Sequence, residues 1–253
     1  MSSLLKVLAG PTASGKTGVA LLVAEELAAE IISVDSRQIY RGMEIGSAAP
    51  TVAQRARVKH HLVGELEPEE EITAGDYGRR VRELMEAIRG RGGEALLVGG
   101  SGLYLQAALG GLDPGLPRDP EVRDRLRERA RREGSEALHA ELALRDPESA
   151  TSIGMRDTQR ITRALEILAL TGSPPSLLRT RGRRTELPCR VVILDREREE
   201  LNRRIVARVE AMIAEGLEGE VRALLERGVP SDAAPLRSVG YVETVAMLEG
   251  TLQ

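Results

Sequence analysis

The sequence predicts an α/β fold: a parallel sheet with helices on both faces and an inserted all-helical domain. Three observations carry that expectation. Residues Gly10–Thr17 read Gly-Pro-Thr-Ala-Ser-Gly-Lys-Thr, which fits G-x-x-x-x-G-K-[ST] between an apolar run and a helical stretch. Short apolar runs alternate with helical periodicity at the start of the chain, and one more run, Val191–Leu194, comes late. Between them lies a stretch rich in Arg and Glu whose periodicity is helical. The 253 residues are enough for one large domain or a core with a smaller insertion.

Taken in order, Leu4–Ala9 reads as the first strand, and the phosphate-binding loop of a P-loop NTPase-like sheet follows it. Val19, Val23 and Leu27 recur at intervals of four in the next helix. Ile31–Val34 is a second strand ending at Asp35. Val81, Leu84, Met85 and Ile88 mark a helical stripe, and Ala95–Val98 a third strand that runs into Gly99-Gly100-Ser101-Gly102. Strands this apolar belong to a parallel sheet covered on both faces, and ligands bind beyond the carboxyl ends of such strands. The P-loop, Asp35 and the Gly99–Gly102 turn are therefore expected at one site. From about residue 113 the pattern is helical: Asp119-Pro120-Glu121 and Asp146-Pro147-Glu148 are helix starts. Val122, Leu126 and Ala130 follow the first of these. A stronger helix after Asp157 carries Ile161, Ala164, Leu165 and Leu168 and ends near Gly172. Residues 179–184 form a basic loop. Leu201, Ile205, Val209 and Met212, then Leu217, Val221, Leu224 and Leu225, mark two last amphipathic helices. The expected division is a P-loop core of residues 1–112 and 189–253, with a helical insertion over 113–188.

Composition narrows the class. An apolar content of 42% supports a core, built from Leu, Val, Ile and Ala because Phe and Trp are absent. No apolar run approaches the ~20 residues of a membrane span, and no signal peptide precedes the first strand. Cys189 is the single cysteine, and no Cys/His spacing suggests zinc. A cytoplasmic, monomeric enzyme with no membrane partner is the expectation. The net charge of −3 disfavours a uniformly basic surface but allows one basic face.

Chemistry points to the same strand ends. Gly10 and Gly15 let loop N–H groups converge on phosphate oxygens, and the following helix adds its positive end. Lys16 reaches the terminal phosphates and the Thr17 hydroxyl ligates Mg2+. Asp35 and Asp195 both end apolar strands, and either suits the magnesium-linked acid. Asp35 is favoured because it borders the loop, whereas Asp195 begins an exposed helix, where an acid caps. The Gly99–Gly102 turn is read equally well as a tight turn or as a site element presenting Ser101. His60 and His61 are adjacent and point apart, so they pack and do not share a metal. Gln159, Arg160 and Arg163 share a helix face. Alone, such a face is merely solvated; with Arg118, Arg123, Arg125 and the 179–184 arginines nearby in sequence it suits a polyanionic second substrate.

These residues resemble tRNA dimethylallyltransferases along nearly the whole chain. The resemblance lies in GPTASGKT (Gly10–Thr17), ISVDSRQIYRGMEIGSAAPT (Ile32–Thr51), HHL (His60–Leu62), LVGGSGLY (Leu97–Tyr104), DTQRITRALE (Asp157–Glu166) and GYVE (Gly240–Glu243). It implies transfer of the dimethylallyl group of dimethylallyl diphosphate to N6 of the adenosine 3′ to a tRNA anticodon. By motif alone the loop is an ATP-type nucleotide site. The resemblance instead implies that Gly10, Thr12, Ala13, Ser14, Gly15, Lys16 and Thr17 hold a diphosphate leaving group with Mg2+. It further implies that Asp35 takes the N6 proton, and that the anticodon stem-loop is contacted in two segments and at two further residues. These are Asp35, Ser36, Arg37 and Gln38; Gln159, Arg160, Ile161, Thr162 and Arg163; and Ser101 and Arg123. Three positions depart from the family's usual residues: Ser101 replaces Thr, Ala49 replaces Lys and Arg156 replaces Asn.

Family members continue past the equivalent of Gln253 through a basic helical segment that touches tRNA. The expectation is near-normal binding of dimethylallyl diphosphate by these residues. Their tRNA affinity should be weaker, and its salt dependence flatter, than in a version carrying that segment. Titrations of both versions across salt check this. Competing readings are a P-loop kinase of a nucleoside or small metabolite, an isopentenyltransferase acting on free adenine nucleotides, and a non-catalytic tRNA-binding protein.

Overall fold

The structure, a computed structural model, describes residues 4–110, 116–181 and 187–251, with the backbone alone at 179–181. The chain divides into two compact units, Met1–Gly111 with Glu186–Gln253, and Leu112–Thr185. In the first unit the order is β1 (Leu5–Ala9), α1 (Lys16–Glu26), β2 (Ala29–Val34), α2 (Val52–Arg57), β3 (His60–His61), α3 (Ala74–Gly90), β4 (Glu94–Gly99) and α4 (Gly102–Ala108). The helical unit carries α5 (Pro120–Glu133), α6 (Ser135–Arg145), α7 (Pro147–Ser152), α8 (Thr158–Thr171) and α9 (Pro175–Arg181). The first unit then resumes with β5 (Cys189–Ile193), α10 (Arg198–Glu215), α11 (Leu217–Glu226), a 3-10 turn (Ala234–Arg237) and α12 (Tyr241–Leu248).

The sheet is parallel, in the order β3-β2-β4-β1-β5. Its central strands alternate between two apolar clusters, as a sheet covered on both faces must. Leu5, Val7, Ile32, Val34 and Leu97 belong to one cluster with Tyr77, Val81, Met85 and Ile88 of α3. Leu8, Ile31 and Leu96 belong to another with Ala20, Leu21 and Ala24 of α1. The α1 face that meets the sheet is therefore not the Val19–Val23–Leu27 row. Val19 and Leu27 are over a third exposed, while two small alanines and Leu21 let the helix lie close to the strands. The edge strand β5 also departs from two-sided cover: Val192 and Ile193 are 51% and 68% exposed. No residue of α10 is fully buried.

In the helical unit, Asp119, Asp146 and Asp157 cap α5, α7 and α8 by accepting hydrogen bonds from N–H groups of the first turn, with Pro in the first turn of α5 and α7. Gly172, in the left-handed region at φ 67°, ends α8. Ile161, Ala164, Leu165 and Leu168 pack against Leu126, Leu138 and Leu142 to form a separate core. The basic stretch at 179–184 is not wholly a loop, because α9 runs to Arg181; residues 182–184 lie outside the described residues. His60 and His61 sit on the edge strand β3 and turn to different partners. His60 Nδ1 is 2.7 Å from Val58 O, and His61 Nε2 is 2.6 Å from Glu30 Oε2. Among the described residues no helix is long and apolar enough to cross a membrane.

Candidate active site

Three strand ends meet, as the parallel order dictates. β1 stops at Ala9, and the chain turns through residues 10–15 into the N-terminus of α1 at Lys16. Gly10 is required by space: a Cβ there would lie 2.5 Å from Leu194 O. Gly15, at φ 96°, supplies the left-handed residue that starts α1. Thr12 is exposed, Ala13 and Thr17 are half-buried, and Ser14 Oγ is buried without a protein partner. Lys16 Nζ donates to Gly10 O at 2.9 Å and Pro11 O at 2.7 Å, within the turn. The β4 end comes close as well, since a Cβ on Gly100 would lie 2.8 Å from Gly10 O and 3.5 Å from Lys16 Nζ. Beside it Ser101 is the half-buried N-cap of α4, and its side chain makes no capping bond.

Asp35 follows β2. Its Oδ1 accepts from the Arg37 and Gln38 N–H groups at 2.8 and 3.3 Å, which fixes the carboxylate over its own turn. Ser36 and Arg37 are half-buried in that turn. Gln38 is committed elsewhere: its Oε1 accepts from Ser33 Oγ at 2.8 Å, and its Nε2 donates to Ala48 O at 3.2 Å. Tyr77 Oη donates to Ser33 O at 2.6 Å, pinning the end of β2 to α3. Asp195 is exposed, and its Oδ1 accepts from the adjacent Arg196 N–H at 2.9 Å, a local cap at the end of β5.

Electrostatics link these groups and add one that the sequence did not single out. Burial lowers the Lys16 pKa; the Asp35 carboxylate opposes that shift and the Arg208 guanidinium adds to it. Arg208 itself is pulled down by burial and held up by Asp35. Lys16, Asp35 and Arg208 thus form one cluster of two cations and one anion. Arg208 Nη2 also donates weakly to Ser47 O, at 3.4 Å. Local sequence does not distinguish Arg208, which sits one residue before Val209 in a helix full of arginines. A signal was present: it lies next to an apolar stripe, where a cation is costly without an anion to meet. Arg196, in the turn after β5, buttresses the loop, its Nε donating to Ser14 O at 2.8 Å.

The segment between Asp35 and α2 is clamped from α11 and α12. Glu220 accepts from the Ile45 N–H at 2.7 Å, the Gly46 N–H at 3.0 Å and Tyr241 Oη at 2.7 Å. The Tyr241 ring leaves no room for a side chain at Gly46. This is why the chain needs Gly46 and Tyr241 together, although they are far apart in sequence.

In the helical unit, the five residues Gln159–Arg163 do not share one environment. Gln159 and Arg160 are exposed, whereas Ile161 is fully buried and Thr162 is 4% exposed, its Oγ1 donating to Thr158 O at 2.8 Å. Of this expected tRNA-contacting segment, the side chains of Ile161 and Thr162 therefore face the helical core: a helix docked on one face must bury part of any five-residue run. Arg163 and Arg123 both bond Glu166, at 2.8 Å each.

Among the described residues no cluster of three His, Cys, Asp or Glu could hold a metal. The donors at the loop are instead hard oxygens, the Thr17 hydroxyl and the Asp35 carboxylate. That set fits Mg2+, which takes one or two protein oxygens and completes its shell with phosphate and water. The buried Ser14 Oγ and the loop N–H groups fit the phosphate.

Arg208→Ala is expected to weaken diphosphate binding by about ten- to a hundredfold, the range for one charge-assisted hydrogen bond of ~1.5–3 kcal/mol. Titration calorimetry with inorganic diphosphate measures it, and unchanged affinity would remove Arg208 from the site.

A family model described as IPP transferase matches residues 38–253. The chain is 44% identical over 246 residues to tRNA dimethylallyltransferase 1 of Trichlorobacter lovleyi, covering 96% of this chain and 81% of that protein. It is 45% identical over 254 residues to the tRNA dimethylallyltransferase of Halorhodospira halophila, covering 99% of this chain and 82% of that protein. Among solved structures, the tRNA isopentenylpyrophosphate transferase of Bacillus halodurans superposes with a TM-score of 0.68 at 35% identity, covering 100% of this chain and 79% of that one. The chain belongs to the IPP transferase family.

Proposed function

We propose that this protein transfers the dimethylallyl group of dimethylallyl diphosphate to N6 of the adenosine 3′-adjacent to a tRNA anticodon, releasing diphosphate. The observation that carries the reading is Asp35, its Oδ1 fixed by the Arg37 and Gln38 N–H groups at the end of β2, two strands from the phosphate loop of β1, where its charge acts on Lys16 and Arg208. Adenine N6 is a weak nucleophile, so a carboxylate must take its proton as the C–N bond forms. Asp35 suits that role: its Oδ1 is held by two backbone N–H groups, which leaves Oδ2 to face an incoming amine. Lys16, Arg208 and the loop N–H groups, with Ser14 Oγ, stabilise charge gathering on the departing diphosphate. Mg2+, held by Thr17 and Asp35, supplies further neutralisation of that charge when bound. The adenosine leaves the anticodon-loop stack to reach the cleft. The exposed Gln159 and Arg160 of the helical unit grip the stem-loop, where unstacked bases can be read. From a tRNA substrate we infer that the activity is cytoplasmic.

A kinase would use the same loop, so the acceptor decides. Labelled dimethylallyl diphosphate is incubated with unmodified tRNA, AMP or ATP. Label in tRNA alone is the expected result; label in AMP would make the protein a free-nucleotide isopentenyltransferase.

A further inference from the structure

Residues 44–49 form a tight turn downstream of Asp35. The Ala48 N–H donates to Ile45 O and the Ala49 N–H to Glu44 O, both at 2.9 Å, with Ala48 in the left-handed region at φ 47°. The N–H groups of Ile45 and Gly46 go to the Glu220 carboxylate of α11, at 2.7 and 3.0 Å. The next two carbonyls serve the site. Gln38 Nε2 donates to Ala48 O at 3.2 Å, and Arg208 Nη2 of α10 donates to Ser47 O at 3.4 Å. Tyr241 Oη completes the grip, donating at 2.7 Å to the same Glu220 oxygen that holds the Gly46 N–H. One turn thus joins a carboxylate of α11 to a guanidinium of α10.

Those two helices are anchored differently. α11 buries Leu217, Val221 and Leu224 in the main apolar cluster, so Glu220 projects from a fixed support. α10 has no fully buried residue, so packing alone does little to fix where Arg208 points. Ordering a long arginine side chain costs rotamer freedom, and specific contacts must offset that cost. The ties of Arg208 are the Ser47 carbonyl and the charge of Asp35. We propose that Glu220 is a positioning residue for the diphosphate site: it fixes the Ile45–Ala48 turn so that the Ser47 carbonyl holds Arg208 toward the leaving group. Tyr241 orients the Glu220 carboxylate for that task. The inference rests on the P-loop holding diphosphate, and not on which acceptor receives the prenyl group.

Charge and positioning predict opposite signs. Glu220→Gln removes a negative charge near an anion site, which by itself tightens diphosphate binding. It also sets an amide N–H against a backbone N–H that needs an acceptor, which loosens the turn. The expected result, by titration calorimetry with inorganic diphosphate, is an affinity lower by about three- to tenfold. In the Arg208→Ala background the same substitution should have no further effect, because the residue it acts through is gone. Unchanged or tighter binding in Glu220→Gln overturns the proposal. So does an equal loss in the Arg208→Ala background, the mark of a general loosening of the fold. Tyr241→Phe covers the case in which Glu220→Gln is poorly folded. It keeps the ring, which is 1% exposed, and the charge of Glu220, and removes only the hydroxyl. Weaker diphosphate binding that vanishes in the Arg208→Ala background again supports the proposal, and unchanged or additive binding overturns it. No arm uses tRNA, so transfer of label to AMP would overturn the proposed acceptor and leave this inference standing. Wild-type diphosphate affinity in Arg208→Ala alone would overturn it at its root.

Discussion

Asp35→Asn is expected to lower the single-turnover rate of transfer to tRNA by about two to four orders of magnitude, the usual range for loss of a general base. Affinity for tRNA should hold. The amide keeps the carboxylate's shape and can still accept from the Arg37 and Gln38 N–H groups, so the turn that fixes residue 35 survives. What is lost is the proton acceptor and the anion that balances Lys16 and Arg208. Measured without Mg2+, diphosphate binding should therefore be maintained or strengthened, since two cations are left for one anionic guest. Rapid-quench measurement of labelled product at saturating tRNA separates chemistry from binding. A near-normal rate would show that another group takes the proton.

Lys16→Ala should weaken dimethylallyl diphosphate binding by about ten- to a hundredfold, from loss of a charge-assisted contact of ~1.5–3 kcal/mol. Its ammonium is held by the carbonyls of Gly10 and Pro11 in a loop, away from the apolar clusters. The thermal unfolding midpoint should accordingly change little. A pH dependence follows with a definite sign. Burial places the Lys16 pKa in the free protein below the ordinary lysine value, and binding needs the protonated form. Affinity should then fall as pH rises through that lowered pKa, sooner than for an exposed lysine, and Lys16→Arg should move the fall to higher pH. Affinity unchanged by either variant would take Lys16 out of the binding step.

Much of the site was legible because its parts are local in sequence. The P-loop needs one octapeptide between a strand and a helix, and Asp35 and Gly99–Gly102 are the ends of apolar strands. Parallel topology brings such ends together without any knowledge of long-range packing. Helix starts were equally plain, since Asp-Pro-Glu encodes a cap and a first turn within three residues. What stayed hidden depends on contacts between distant segments. Periodicity alone marked Val19, Val23 and Leu27 in α1, but close approach to the sheet selected Ala20, Leu21 and Ala24. The break between α5 and α6 rests on one residue, Gly134 at φ 85°, where an Arg-rich helix gives way to one rich in Ala and Leu. Arg208 and the Glu220–Tyr241 clamp join residues far apart in the chain, and in a sequence this rich in arginine nothing local distinguishes a site arginine from a solvated one.

The central claim is that the P-loop holds the leaving group of a prenyl transfer to one adenine amine. It is tested most directly with an anticodon stem-loop in which the adenosine 3′ to the anticodon is replaced by purine riboside, which lacks N6. The account predicts one dimethylallyl group and one released diphosphate per unmodified stem-loop, and neither with the purine-substituted one. Prenylation of the substituted stem-loop, or phosphate transfer from ATP in place of prenylation, would contradict it.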